Sequence, residues 1–227
     1  SEGAALAVAD ADLARAEEVA AEIRAAGGTA MAIAGDVTDE AQVKAMVDKV
    51  VACYGRLDCA FNNAGISHAQ SGISGKRTHE IPREAAESIL AVNLMGVFLC
   101  MKHELVQMLK QGGGAICNTA SIAGLVGMAQ TSAYGAAKHG VVGLTRTGAL
   151  EYAADGIRVN CVCPGFTDTP MIQQSLARRG DEIARSIPSG RVAQPNEIAE
   201  LVVWLCSDRA SYVNGAAYPI DGGFTAG

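Results

Sequence analysis

Aromatic residues are scarce in this 227-residue chain, at 4% with a single Trp. A core built here cannot rest on stacked rings. It must rest on Ala, Val, Ile and Leu, and the 49% hydrophobic content supplies enough of them for one large domain. Positive charge is also short: 18 Lys and Arg stand against 24 Asp and Glu, and no basic run interrupts the net charge of −6. That balance argues against a nucleic-acid partner, which a basic stripe would announce. No uninterrupted apolar stretch reaches the ~18 residues of a membrane span, so no transmembrane helix and no membrane partner are expected. His68, His79, His103 and His139 show no metal spacing, and no metal site is expected. The seven cysteines lack paired C-x-x-C spacing. They read as reduced, buried thiols of a cytoplasmic protein, with Cys161 and Cys163 on opposite faces of one strand.

What the chain does have is small residues, 26 of them Gly, and a regular alternation of short apolar runs with helical stretches. Strands are expected at Ala5–Asp10, Thr29–Ala34, Leu57–Asn62, Ala115–Thr119, Ile157–Cys163 and Ala216–Ile220. Helices are expected at Asp12–Ala26, Glu40–Tyr54, Glu84–Gln111, Ser132–Ala154 and Pro195–Ser207, where Asp39 and Asn196 are candidate caps and Gly27, Gly55 and Gly112 are stops. Residues 66–83 read as a surface loop and 166–190 as a partly helical, mobile flap. Strands alternating with helices of this length imply βαβ crossovers and a parallel sheet with helices on both faces. The fold class is therefore α/β: a Rossmann-like, doubly wound parallel sheet in a three-layer α/β/α arrangement, formed by a single domain. Ligands of such sheets collect at the carboxyl ends of the strands. Asp10, Asp36, Asn63, Ser121 and Pro164-Gly165 all fall there.

Tyr134 and Lys138 stand four residues apart on one expected helix, so they share a face. A free phenol titrates near ~10, too high for a base at neutral pH, and a neighbouring ammonium favours its ionised form. The pair is thus a reasonable general acid/base. Ser121 follows a strand and precedes a Gly-rich loop, where a hydroxyl can hold a substrate oxygen and steady the charge that develops on it. Each feature alone has an ordinary structural explanation: a surface helix for the pair, a turn or cap for the serine.

Taken together they are more specific. Ser121 and Tyr134-Gly-Ala-Ala-Lys138, thirteen residues on, resemble the catalytic signature of the short-chain dehydrogenase/reductase family. Asn62-Asn63-Ala64-Gly65, Val92-Asn93-Leu94, Asn160-Cys-Val-Cys-Pro164-Gly165 and Ile220-Asp221-Gly222-Gly223 resemble that family's other segments, in order. The resemblance implies an NAD(P)-dependent alcohol dehydrogenase or ketone reductase acting on a small molecule. Tyr134 would exchange the proton and Ser121 would hold the same oxygen. Lys138 would bind the nicotinamide ribose and lower the Tyr134 pKa, and Asn93 would extend the proton relay. It also implies cofactor contacts at Asp10, Asp36, Val37, Asn63, Ala64, Gly65, Tyr134, Lys138, Pro164, Gly165, Thr167 and Thr169. A carboxylate at Asp10 would repel a 2′-phosphate, which favours NAD over NADP. The helices 84–111 and 132–154 resemble the family's dimer contact, implying a homotetramer or homodimer.

One part of the pattern is absent. No Gly-rich phosphate loop opens the sequence, and Ser1-Glu2-Gly3-Ala4 reads as the end of a first helix. The expectation is therefore a chain lacking the first strand and phosphate loop, with a parent carrying roughly 25–35 further residues. The strands at 5–10 and 57–62 should then not pair directly. Two other functions stay open at this point. One is a dehydratase or epimerase of the extended relatives, which share the Tyr–Lys pair. The other is a catalytically silent nucleotide-binding scaffold.

Overall fold

The computed structural model describes residues 3–227. Among these residues six strands form: β1 (Ala5–Asp10), β2 (Thr29–Ala34), β3 (Cys59–Asn62), β4 (Gly114–Thr119), β5 (Ile157–Pro164) and β6 (Ala217–Ile220). Every ladder is parallel. β1 pairs with β2, and β3-β4-β5-β6 form a second run in sequence order. No ladder joins β1 to β3 among the described residues, as expected. β1 is correspondingly less buried than a strand flanked on both edges, and Leu6 stands half out of the protein. The carbonyl of Leu6 accepts a hydrogen bond from the Tyr54 hydroxyl at 3.1 Å.

Seven α-helices connect and cover the strands: α1 (Leu13–Ala25), α2 (Glu40–Tyr54), α3 (Arg83–Leu90), α4 (Gly96–Gln111), α5 (Ser132–Tyr152), α6 (Gln173–Ser186) and α7 (Pro195–Cys206). The caps follow from side-chain chemistry. Asp12 accepts from Ala14 N–H, Asp39 from Ala41 and Gln42, and Gly55 ends α2 in the left-handed conformation. At α7 the cap position is Gln194 and not the expected Asn196; its N–H donates to the Glu197 carboxylate at 2.8 Å, and its carbonyl accepts from Glu197 N–H at 3.0 Å. The reason is positional: Asn196 already lies inside the helix, one residue past Pro195.

The core shows the alternation of a sheet covered on both sides. Ile116, Val159, Cys161 and Cys163 pack on α4 and α5 through Val97, Met101, Leu105, Val141 and Ala149. Cys117 and Val162 pack on the other face against Ile198, Val202 and Leu205 of α7. Cys161 and Cys163 therefore share a face, contrary to the sequence reading, because side chains alternate with a period of two. Nor are all seven thiols free. Cys59 and Cys206 form a disulfide between β3 and the end of α7, and Cys53, Cys100, Cys117, Cys161 and Cys163 remain thiols. A cytoplasmic setting thus no longer follows from the cysteines.

Two further expectations change. The helix read as one piece over 84–111 is continuous, but a π-helical turn spans Ala91–Met95 and joins α3 to α4. This helix passes for a membrane span by length and composition, with a mean hydropathy of 1.6 over 18 residues. Yet 44% of that window is buried against the protein's own core. The loop 66–83 is also not purely superficial. Ile73 is 2% exposed and packs with Ile89, Ala133 and Ala137, so this loop is sewn onto α3 and α5.

Candidate active site

The parallel ladders bring the ends of β3, β4, β5 and β6 to one edge, where Asn63, Ser121, Gly165 and Asp221 follow them. Val37, just past β2, reaches the same region. A Cβ placed on Gly96 would stand 2.7 Å from Val37 Cγ2. Glycine at 96 therefore lets the start of α4 meet the loop that carries Asp36.

Ser121 is buried and opens a short 3-10 turn, Ile122–Gly124, with its Oγ accepting from Ala123 N–H at 3.2 Å. Gly124 is packed so tightly that a Cβ there would lie 2.7 Å from the Lys138 carbonyl oxygen. That close approach folds the Gly-rich loop back onto α5 and sets Ser121 beside Tyr134. Burial raises the Tyr134 phenol above its ordinary value of 10, and a hydrogen bond with the Ser121 side chain pulls the other way. The ammonium of Lys138 lies 5.6 Å from the centre of the Tyr134 ring. It donates to the Thr119 carbonyl at 2.7 Å. The expected lowering of the phenol by Lys138 is therefore not the dominant effect in this arrangement. Lys138 itself is 3% exposed, and burial pulls its ammonium down to about 8, against the opposing influence of Cys163 and Cys161.

Asn93 sits in the π-helical turn and is fully buried. Its amide donates to Ile89 and Ile66 carbonyls at 3.0 and 2.9 Å, and its oxygen accepts from Ile66 N–H at 3.1 Å. Single π-helical turns inside α-helices are frequent at functional sites. A Cβ on Gly65 would stand 2.7 Å from that Asn93 oxygen and 3.9 Å from Lys138 Nζ. Gly65, Asn93 and Lys138 thus form one cluster. Because three hydrogen bonds fix the Asn93 amide, it cannot yield to a larger neighbour. Gly65→Ala is expected to cost about 1–3 kcal/mol through displaced buried hydrogen bonds. A melting temperature unchanged by Gly65→Ala would refute the close packing.

The remaining expected contacts hold positions that fit a dinucleotide. Asp10 is exposed at the end of β1, with one oxygen accepting from Asp12 N–H at 2.8 Å. Asp36 accepts from both Thr38 N–H and its hydroxyl at 2.8 Å. Asn63 accepts from the Thr119 hydroxyl at 3.0 Å, and Ala64 lies between it and Gly65. Gly165 abuts Asp221, whose Cα would be 2.8 Å from a Cβ there. Thr167 and Thr169 turn their hydroxyls inward to Gly165 and Thr167 carbonyls, stiffening the loop that leaves Pro164. Among the described residues the buried Lys138 ammonium has one carbonyl partner and no carboxylate, so it retains donors for sugar hydroxyls. The adenosine and nicotinamide ends therefore fit a nicotinamide dinucleotide. A Gly-rich pyrophosphate cradle has no counterpart among the described residues.

Two features went unrecognised in the sequence. A buried network links Glu104, Asn62, Asn118 and Thr145 through bonds of 3.0 Å. Burial raises the Glu104 carboxyl to about 7, with the Asn62 bond acting against it. The other is His68, of which the sequence showed only that it lacks metal spacing. It is 8% exposed, joins Gln130 O at 2.8 Å, and accepts from Tyr134 N–H at 3.3 Å.

Known proteins match this arrangement over nearly its whole length. A family model described as Enoyl-(Acyl carrier protein) reductase matches residues 1–225. A cis-4-hydroxycyclohexanecarboxylate dehydrogenase of Sinomonas cyclohexanicum is 44% identical, over 93% of this chain and 83% of that protein. A cyclohexanol dehydrogenase of Acinetobacter sp. (strain SE19) is 43% identical, over 99% and 86%. The crystal structure of a gluconate 5-dehydrogenase from Burkholderia cenocepacia J2315, in complex with NADP and tartrate, superimposes with a TM-score of 0.91 at 29% identity. That match covers 99% of this chain and 87% of that one.

Proposed function

The chain belongs to the short-chain dehydrogenase/reductase family, and from that premise we propose that it interconverts a secondary alcohol and a ketone using NAD, with Tyr134 as the general acid/base. At the coarser level it is an oxidoreductase, as its relatives are by name. The observation that carries the finer reading is the convergence of Ser121, Tyr134 and Lys138 at the end of β4.

The division of labour follows from the geometry. The cofactor, when bound, supplies the hydride-accepting or hydride-donating carbon. Ser121 and the Tyr134 hydroxyl share the substrate oxygen. Ser121 orients it and offers a hydrogen bond that strengthens as charge develops there. Tyr134 removes the hydroxyl proton during oxidation and returns it during reduction. Lys138 would hold the ribose at Nζ and place its positive charge beside the phenol. Asn93 keeps Ile66 and Gly65 in place beneath that ammonium. The pocket mouth is framed by the loops after β3, β4 and β5, in which small and apolar residues stand among polar and charged ones. A cyclohexanol-type ring alcohol is the substrate class we favour, from the names of the two relatives. The exposed apolar side chains of α4, among them Phe98, Val106 and Leu109, support a homodimer or homotetramer through that helix.

The test follows absorbance of reduced nicotinamide with cyclic secondary alcohols and the corresponding ketones, with an enoyl thioester as a competing substrate class. Turnover of the ring alcohols is expected. Activity confined to the enoyl thioester, or none with either cofactor, would overturn the reading. Cofactor choice is tested at Asp10. Its exposed carboxylate should favour NAD by repelling a 2′-phosphate. The ratio of kcat/KM for NAD over NADP should exceed one and fall in Asp10→Ala. A preference for NADP, or a ratio the substitution leaves alone, counts against NAD.

A further inference from the structure

The helix that carries Tyr134 and Lys138 starts without a cap of its own. The first backbone bond of α5 runs from Gly135 N–H to Thr131 O at 2.6 Å. The N–H groups of Ser132, Ala133 and Tyr134 therefore have no backbone partner within the helix. A threonine at the cap position would ordinarily accept one of them through its hydroxyl. Thr131 makes no such bond, and its hydroxyl is turned to the Met128 carbonyl, to which it donates at 2.8 Å. The acceptor comes from elsewhere in the chain: His68 Nε2, sixty-six residues away, takes the Tyr134 N–H at 3.3 Å.

The other ring nitrogen is engaged as well. Nδ1 meets the Gln130 carbonyl at 2.8 Å. Gln130 is the one non-glycine with positive φ among the described residues, at 63°. Such a conformation is unfavourable for a residue with a Cβ and persists only where its surroundings hold it. The two partners also fix the ring's chemical form. A carbonyl can only accept, so Nδ1 must carry the proton. An amide N–H can only donate, so Nε2 must be bare. A single neutral tautomer satisfies both bonds. The ring is 8% exposed and meets Tyr134 edge-on, with centroids 6.4 Å apart. The His68 carbonyl also accepts from the N–H of the buried Ile73, five residues on, at 2.9 Å.

We propose that His68 is a positioning residue for the reaction: in its Nδ1–H form it clamps the strained Gln130 and caps α5 at Tyr134, fixing the phenol against Ser121. It need not touch substrate or cofactor. It acts by joining the loop after β3 to the loop after β4 and to the first turn of α5, three segments that frame the pocket. This inference rests on the proposed role of Tyr134, and its test keeps the two apart.

Two measurements test it. The first reads the imidazole nitrogens by NMR in the intact protein, without substrate. Nδ1 protonated and Nε2 bare is the expected result. The opposite tautomer, or a mixture, overturns the clamp whether or not the protein is active. The second compares three substitutions. Asn at 68 places an amide N–H where Nδ1 lies, and Gln places an amide oxygen where Nε2 lies. His68→Ala should lower kcat by about ten- to a hundredfold, the scale expected when a catalytic group is misplaced. Its KM for the cofactor should stay within about twofold of wild type. His68→Gln, which keeps the acceptor for Tyr134 N–H, should recover more of kcat than His68→Asn. An unchanged kcat in His68→Ala, or equal recovery by the two conservative variants, overturns the proposal. Failure of the acid/base reading itself shows separately, as full turnover in Tyr134→Phe with wild-type His68.

Discussion

Tyr134→Phe should lose turnover by about 10²–10⁴-fold while cofactor affinity stays within a few-fold of wild type. The size of the loss is that of a general acid/base, since the substitution deletes the one group placed to carry the proton. The ring stays, and with it the packing against Ile73, Ile89 and Ala137. The helix cap also stays, because His68 accepts from the backbone N–H of residue 134 and not from its side chain. A loss seen in kcat and not in cofactor binding therefore isolates the hydroxyl. The pH dependence should carry the same signature. Burial holds the phenol above its ordinary value, so at neutral pH Tyr134 is protonated. Reduction, which needs the acid, should be fast there and decline as alkali removes the proton. Oxidation, which needs the base, should rise toward alkaline pH. Stopped-flow rates in both directions across that range provide the check. Near-normal turnover in Tyr134→Phe would remove Tyr134 from the chemistry.

The sequence made the strands and the reacting residues legible for different reasons. The strands were legible because buried parallel strands are near-continuous apolar runs. ALAVAD and TAMAIA became β1 and β2 at the expected bounds. The reacting residues were legible by spacing, since four positions on a helix define a face and a short loop returns Ser121 to it. What stayed hidden depends on partners far apart in the chain. Nothing near His68 marks it, because its two partners lie at positions 130 and 134. The Cys59–Cys206 link spans 147 residues, and no local pattern specifies it. The π-helical turn at 91–95 depends on Asn93 finding Ile66 across the fold, so helical periodicity alone read 84–111 as uniform. The direction of the Tyr134 shift was misjudged for a related reason. Proximity of a lysine was read from spacing, but burial is a tertiary property, and here it dominates.

Lys138→Met separates function from stability most sharply. The substitution keeps the length of the side chain and removes the ammonium. Turnover should fall by about 10²–10³-fold, the usual scale for losing one pre-placed electrostatic contact at a reacting centre. Stability should not fall with it. Lys138 is 3% exposed, with no carboxylate partner among the described residues, and burial lowers its pKa from 10.5 to about 8. At neutral pH the fold therefore carries a charge that would be better solvated in the unfolded chain, at a cost on the order of 3 kcal/mol. Removing the charge relieves that cost. It also leaves the Thr119 carbonyl without its donor, a penalty of about 1–3 kcal/mol. The two terms nearly cancel, and the melting temperature should shift by no more than a few degrees. The sign with pH is distinctive. Between about 8 and 10.5 the unfolded lysine keeps its proton while the folded one has lost it. The unfolded state then binds more protons, so stability attributable to this residue rises as pH rises through that window. Below the window the lysine is charged in both states and its contribution is constant. Wild-type protein should gain stability between those limits relative to Lys138→Met, as read from denaturant midpoints at a series of pH values. A variant that unfolds readily at neutral pH, or one whose stability tracks wild type across the alkaline window, would mean that Lys138 is not a strained, buried cation held for the reaction.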